Sequence, residues 1–265
     1  MRVIISISSD IGTSIGLDWL KQGEHVVGTY RTWSRNCDVL LAMGAALVHC
    51  DLTVEESQLQ AVETIAKSGR WDVLVIAPGT QEPVGLFKDT QFDKWEESIA
   101  INFTKPISIL HKLLVIRKSS LPITSRVLFF AGGGTNSATE RYSAYTVSKI
   151  ALIKICELLD FEFDDCAFSI LGPGWVESKI HEATISAGGL AGDNYLKTLE
   201  MRRLNLMNPV SIVVDACNWI LTQPKEVVGG RNFSAVNDKF HDPELVNNLI
   251  SNPSMYKLRR SGNSV

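Results

Sequence analysis

Apolar positions along this chain fall into two rhythms. Short runs rich in β-branched and aromatic residues occur at Arg2–Ile7, His25–Tyr30, Ala46–His49, Asp72–Ala77, Arg126–Ala131, Ala167–Leu171 and Arg231–Val236. Between them lie longer stretches whose apolar residues recur every three or four positions, as one face of a helix requires. These predict helices over Thr13–Gln22, which Gly23 stops, around Asn36–Gly44, and near Glu55–Lys67. Long helices fit between Gln91 and Lys118 and between Ser143 and Asp164. The run "DVLVIA" has almost no polar interruption, which suits a strand buried on both faces of a parallel sheet. Strands alternating with helices predict an α/β fold: a doubly wound parallel sheet of about seven strands with helices on both faces.

No repeat, low-complexity tract or flexible linker divides the pattern, so one domain is expected over residues 1–240. Residues 179–208, including "SAGGLAGDN", break the rhythm and read as a lid, because a loop of that length in a compact fold is usually a binding segment. The polar stretch 241–265, ending "RRSGNSV", reads as a C-terminal tail or arm, on the surface or partly disordered.

Composition narrows the function classes. Apolar residues make up 45% and charged residues 21% of the 265, enough for a sizeable core. A net charge of −3 without a basic run argues against nucleic acid. Five widely spaced cysteines show no zinc spacing, so no metal is expected, and their odd number fits a reducing compartment. The first apolar run is too short for a signal peptide, and no apolar run approaches the ~20 residues of a membrane span. A soluble, cytoplasmic protein is expected.

Three segments carry chemistry. In "ISISSDIGTSIG" the first strand runs into a turn at Ser8, Ser9, Asp10, Ile11 and Gly12, at the start of a helix. A helix N-terminus offers unpaired N–H groups to a diphosphate, although a strand-to-helix turn capped by Ser8, Ser9 or Asp10 reads the same way. Ser6 and Asp10 stand where such turns often carry glycine. After the second strand come Tyr30 and Arg31, where an NAD-selective site would place an acid; a guanidinium there suits a 2′-phosphate. Finally, "YTVSK" sets Tyr145 and Lys149 four apart on one helix face.

Together with "CDLT" at Cys50–Thr53, "IAPGT" at Ile76–Thr80, "INFTKP" around Asn102 and "GPGWVES" at Gly172–Ser178, these segments resemble, in order, the short-chain dehydrogenase/reductase family. The resemblance covers roughly residues 2–236 and implies a Rossmann-type fold. It implies Tyr145 as the proton donor and acceptor, Lys149 as the group that tunes it and holds the nicotinamide ribose, and Asn102 as support for a proton relay. Asp51 and Leu52 would contact adenine. Ala77, Pro78 and Gly79 would lie beside the ribose, and Pro173, Gly174, Val176 and Ser178 would hold the nicotinamide. A nearby ammonium and the nicotinamide's charge are expected to lower the phenol's pKa.

The family's catalytic serine, thirteen residues before the tyrosine, is Gly132 here. Thr135, Asn136 or Ser137 could substitute, or the backbone N–H groups of Gly133 and Gly134, or catalysis could be lost. His181 could contact substrate or be a surface residue at a helix start, which is the preferred reading. Tyr195, Arg202 and Arg203 could serve a charged or sugar-like substrate, although two adjacent arginines on a helix usually face solvent.

The expected function is an oxidoreductase moving hydride between NADP(H), in preference to NAD(H), and a small-molecule ketone or secondary alcohol. Two alternatives stand beside it: a catalytically weak or inactive dinucleotide-binding regulator, and an enzyme acting on a nucleotide-linked sugar without net redox change. The family resemblance also implies a homodimer or homotetramer, joined through the long helices flanking the fifth strand.

Overall fold

The computed structural model describes residues 1–119 and 125–260, so the end of "RRSGNSV" lies outside the described residues. Among these, seven strands form one sheet: β1 (Arg2–Ile5), β2 (Val26–Tyr30), β3 (Ala46–His49), β4 (Val73–Ile76), β5 (Ser125–Phe130), β6 (Cys166–Gly172) and β7 (Asn232–Ser234). Their order is β3-β2-β1-β4-β5-β6-β7, and every neighbouring pair is parallel. The expected doubly wound sheet is what the chain forms.

The unbroken apolar runs follow from cover on both faces. Val3, Ile5, Leu74, Ile76, Val127 and Phe129 point into one core, and Ile4, Val26, Val75 and Leu128 point into the other. Successive strand residues therefore alternate between two buried surfaces rather than between core and water. Helices α1 (Asp10–Lys21), α2 (Arg35–Ala42) and α3 (Glu55–Ser68) cross over in the first half. The chain leaves β3 at one edge and returns to β4 beside β1, so strand order reverses between β1 and β4. Ligands of such sheets bind beyond the C-terminal strand ends at that reversal.

The predicted helix between Gln91 and Lys118 is composite: α4 (Phe92–Ile99), a π-turn at Ala100–Thr104, α5 (Lys105–Leu113) and a 3₁₀ turn at Leu114–Ile116. As a continuous element, Phe92–Ile116 is long and apolar enough to cross a membrane by length and composition. Scattered charges such as Lys94, Glu97 and Lys105 hide this when only unbroken apolar runs are sought. In the fold Ile109, Leu110 and Leu113 join the sheet core. Helix α6 (Ser143–Glu162) follows β5 as expected.

The C-terminal third differs more from expectation. Most of the segment 179–208 is helical: a 3₁₀ turn at Lys179–His181, then α7 (Glu182–Ala187), a second 3₁₀ turn at Gly188–Ala191, and α8 (Asp193–Arg203). Helices α9 (Ser211–Thr222) and α10 (Lys225–Val228) precede β7. The tail is not a free arm up to Arg260, because α11 (Pro243–Ser251) buries Leu245 and Leu249 in the second core. Arg231, only 3% exposed, holds this helix. Its Nη atoms donate to the carbonyls of Leu249 at 2.6 Å, Asn252 at 3.2 Å and Met255 at 2.6 Å, closing the helix C-terminus.

Arg231→Met leaves three carbonyls without their charged donor. It is expected to cost about 3 kcal/mol in urea-induced unfolding. An unchanged midpoint would show that Leu245 and Leu249 suffice to hold α11.

Candidate active site

The C-terminal ends of β1, β4, β5 and β6 open into one cavity of about 1250 Å³. Ser8, Ser9, Asp10 and Ile11 line one end; Ala77, Pro78, Gly79, Tyr145 and Lys149 form its wall beyond β4; Pro173, Gly174, Val176 and Ser178 enter from β6. Gly133, Thr135 and His181 line it too. Of the residues singled out in the sequence, Gly12, Asn102, Tyr30, Arg31, Asp51 and Leu52 stand behind or outside this lining.

The first turn keeps its shape with fewer glycines than usual. Ser6 takes the left-handed conformation, φ 64°, where glycine is normally favoured. Its N–H donates to Thr29 Oγ1 at 2.9 Å. At Gly12 a Cβ would lie 2.6 Å from the Ser6 carbonyl oxygen, so only glycine fits. Ser9 caps α1 by accepting the Gly12 N–H at 3.1 Å, and Asn36 donates to the Ser8 carbonyl at 3.0 Å. Asp10 Oδ2 accepts the backbone N–H of Lys179 at 2.6 Å, tying this turn to the start of the segment 179–208.

Tyr30 and Arg31 lie at the end of β2, where Tyr30 meets the rings of Trp33 and His49 edge-on. Arg31 is exposed. Asp51, at the end of β3, is held below the usual carboxylate range by hydrogen bonds from Thr53, with Arg31 and His49 adding favourable charge. Leu52 packs against the first core.

Tyr145 and Lys149 sit on the first turns of α6, at 9% and 3% exposure. Lys149 Nζ lies 5.7 Å from the Tyr145 ring centroid and 3.5 Å from the Pro78 carbonyl oxygen, to which it donates. Burial pushes the phenol up from 10.0 to about 12 and the ammonium down from 10.5 to about 8. The expected lowering of the phenol is thus reversed in the free chain: desolvation disfavours phenolate and ammonium alike, and outweighs their mutual attraction.

Gly132 explains more than an absent serine. A Cβ there would stand 2.7 Å from both Tyr145 Cε1 and Oη. The tyrosine ring occupies the space that a side chain would need. Thr135, Asn136 and Ser137 all line the cavity, so the geometry singles out none of them.

Asn102 is fully buried, and its amide is committed to structure. Oδ1 accepts the Thr80 N–H at 2.9 Å; Nδ2 donates to the Thr80 carbonyl at 2.9 Å and the Ser98 carbonyl at 3.0 Å. The segment 179–208 supplies residues that the sequence reading missed or misplaced. His181 is buried rather than on the surface, with Nε2 donating to the Val176 carbonyl at 3.1 Å and the ring stacked on Trp175 at 5.3 Å. Burial is the first cause of its lowered pKa. Thr184 Oγ1 donates to Gln81 Oε1 at 3.0 Å, so the Tyr142 hydroxyl, 2.8 Å away, donates to Thr184. Gln81 Nε2 is thereby left as a donor in the cavity wall. No spacing rule marks such a triad, because its members come from three distant segments. Arg202 pairs with Glu182 at 2.6 Å, joining α8 to α7 at the surface.

Two outcomes follow from this geometry. Between pH ~8 and ~10.5 the unfolded chain binds more protons at Lys149 than the folded one, so stability rises with pH through that window. At pH 7 the folded state carries the full cost of the buried ammonium. Lys149→Met is therefore expected to melt higher than the parent at pH 7, by roughly 3 kcal/mol at most, with the gap closing by pH ~10.5. A pH-independent gap in thermal melts would contradict this. Gly132→Ser, although it restores the family residue, is expected to destabilise by about 1–3 kcal/mol, because Tyr145 must move. Chemical denaturation reads this directly.

Comparison with known proteins adds an independent line. A family model described as enoyl-(acyl carrier protein) reductase matches residues 6–203. The short chain dehydrogenase pgmD of Aspergillus terreus is 26% identical over 263 residues, spanning 89% of this chain and 78% of that protein. For adrF, a short chain dehydrogenase of Penicillium rubens, identity is 27% over 154 residues, 57% of this chain and 58% of that protein. Among solved structures, a short chain dehydrogenase/reductase from Saccharomyces cerevisiae superposes with TM-score 0.77 at 22% identity, over 93% of this chain and 99% of that one. The actinorhodin polyketide ketoreductase with NADPH gives 0.75 at 18% identity, over 88% and 95%. The ordered motifs, the sheet order and the family match over most of the chain lead to one assignment: this chain belongs to the short-chain dehydrogenase/reductase family.

Proposed function

We propose that this oxidoreductase interconverts a ketone and a secondary alcohol with NADP(H) as its cofactor. The observation that carries the reading is the placement of Tyr145 and Lys149 in one wall of a cavity that also reaches the turn before α1. Ser8, Ser9, Ile11 and Gly12 would receive the diphosphate, Arg31 the 2′-phosphate, and Asp51 and Leu52 the adenine. Ala77, Pro78, Gly79 and Lys149 would flank the ribose, and Pro173, Gly174, Val176 and Ser178 the nicotinamide. The tight closure at Gly12 and the cavity's size both fit a dinucleotide plus a small substrate. Asp10 does not fit so simply. The preference for NADP(H) is supported by Arg31 in place of an acid, and by the NADPH held by the actinorhodin ketoreductase.

When bound, the nicotinamide supplies or accepts the hydride. Tyr145 Oη would give a proton to the developing alkoxide or take one from the alcohol. Its value near 12 keeps it protonated in the free chain, the form required for carbonyl reduction. Lys149 would steady the phenolate left behind, and Asn102 acts upstream by fixing Thr80. Gln81 Nε2, and the N–H groups after Gly132, would be the available donors to the substrate oxygen. Exposed Val147, Leu158 and Phe161 on α6 suit contact with a second copy, in line with a homodimer or homotetramer.

One observation favours a second reading, a dinucleotide-binding protein with little turnover. Tyr145 lies directly on Gly132, where the family's serine would polarise the substrate, and loss of one such donor typically costs ~10²–10³ in rate.

Fluorescence titration with NADPH and NADH, on the parent and Arg31→Ala, tests the cofactor; a panel of ketones and alcohols tests the chemistry. NADPH is expected to bind more tightly than NADH, with the preference lost in Arg31→Ala. Tyr145→Phe is expected to lower turnover by ~10²-fold or more with NADPH affinity retained. Binding without turnover on any substrate would favour the second reading, and no binding would sink both.

A further inference from the structure

Where the family's turn carries glycine, this chain carries a carboxylate. Asp10 is the first residue of α1 and lines the cavity. A helix N-terminus carries roughly half a positive charge, which one carboxylate in the first turn more than offsets. Among the described residues Asp10 has no ion-pair partner. Its Oδ2 instead accepts the backbone N–H of Lys179 at 2.6 Å, from a segment 169 residues away. That N–H opens the 3₁₀ turn ending at His181, whose ring stacks on Trp175 beside the cavity.

We propose that Asp10 is an internal competitor for the cofactor's diphosphate: its carboxylate puts a negative charge at the first residue of α1, in the cavity wall, and clips the segment beginning at Lys179 to that turn. The proposal rests on the dinucleotide reading above. A diphosphate brings two negative charges to α1, and the carboxylate opposes both. Cofactor entry then has to displace Asp10 from its seat, which releases the Lys179 N–H. Cofactor occupancy and the position of the lid's first turn are thereby linked through one side chain.

NADPH titration by fluorescence, on the parent, Asp10→Asn and Asp10→Gly, tests this at low and high salt. Asparagine keeps an oxygen for the Lys179 N–H and removes the charge; glycine restores the family residue. Thermal melts establish that each variant folds. Both variants are expected to bind NADPH about tenfold more tightly at low ionic strength, a gap that narrows as salt screens the charge. In the parent, NADPH is expected to speed hydrogen–deuterium exchange in residues 179–181. Equal or weaker binding by both folded variants, or a gap insensitive to salt, overturns the proposal while leaving the cofactor reading intact. If neither the parent nor the variants bind NADPH or NADH, the dinucleotide reading fails and the proposal falls with it.

Discussion

The buried amide of Asn102 holds the end of β4 to the long helical element beside it, and the cavity wall is built outward from that joint. The π-turn at Ala100–Thr104 carries Asn102, whose amide satisfies both the N–H and the carbonyl of Thr80 and also reaches Ser98. A buried amide left unpaired would cost more than its net hydrogen bonds contribute, so the joint forms completely or not at all. Gly79 lies just before it: a Cβ there would stand 3.4 Å from both Asn102 Oδ1 and Lys149 Nζ. The ammonium is thus seated by backbone that Asn102 has already fixed. One residue after Thr80, Gln81 receives Thr184 from the lid, and Thr184 in turn receives Tyr142 at the start of α6. A single amide therefore sets the strand end, the lysine and the lid's inner contact.

Within that frame, burial dominates charge. Tyr145 and Lys149 are adjacent turns of one helix, close enough to attract, yet each has moved toward its neutral form. The desolvation penalty of a phenolate or an ammonium exceeds what a 5.7 Å separation from the ring centroid returns. Proximity in sequence reports that two groups share a face; it does not report the dielectric in which they meet. The contact with Gly132 belongs to the same description, because the ring lies in the space that a serine would fill and is enclosed more closely for it.

The sheet was legible because strands buried on both faces leave an unmistakable trace in sequence: all seven strands match apolar runs, within a few residues at the ends. The helices after β6 were less so. In α11 only Leu245 and Leu249 are buried, one turn apart, and the polar residues around them read as a tail. The lid helices are short, and α8 has polar residues all around, with Thr198 its only buried residue. In the candidate site, motifs single out residues adjacent in sequence, and most of these line one cavity. Residues assembled from separate segments do not stand out in this way: the link through Gln81, Thr184 and Tyr142, and the burial of His181, exist only in the folded chain. Gly132 could be seen as an omission, but its reason lies in a contact with a residue thirteen positions away.

Charge along the cleft completes the account. At the α1 end, a carboxylate accompanies the helix dipole; at the β2 end, Asp51 lies near enough to Arg31 for the guanidinium to help hold its proton off. The α1 N-terminus and Arg31 thus each have an internal carboxylate nearby. Positive potential at a helix end or an arginine thereby finds a partner within the fold. An anion arriving at the α1 end would exchange one partner for another, so its affinity would reflect the difference between the two. For the cofactor proposed here, affinity at the α1 end would then be set as much by how readily Asp10 gives way as by what the Gly12 turn offers.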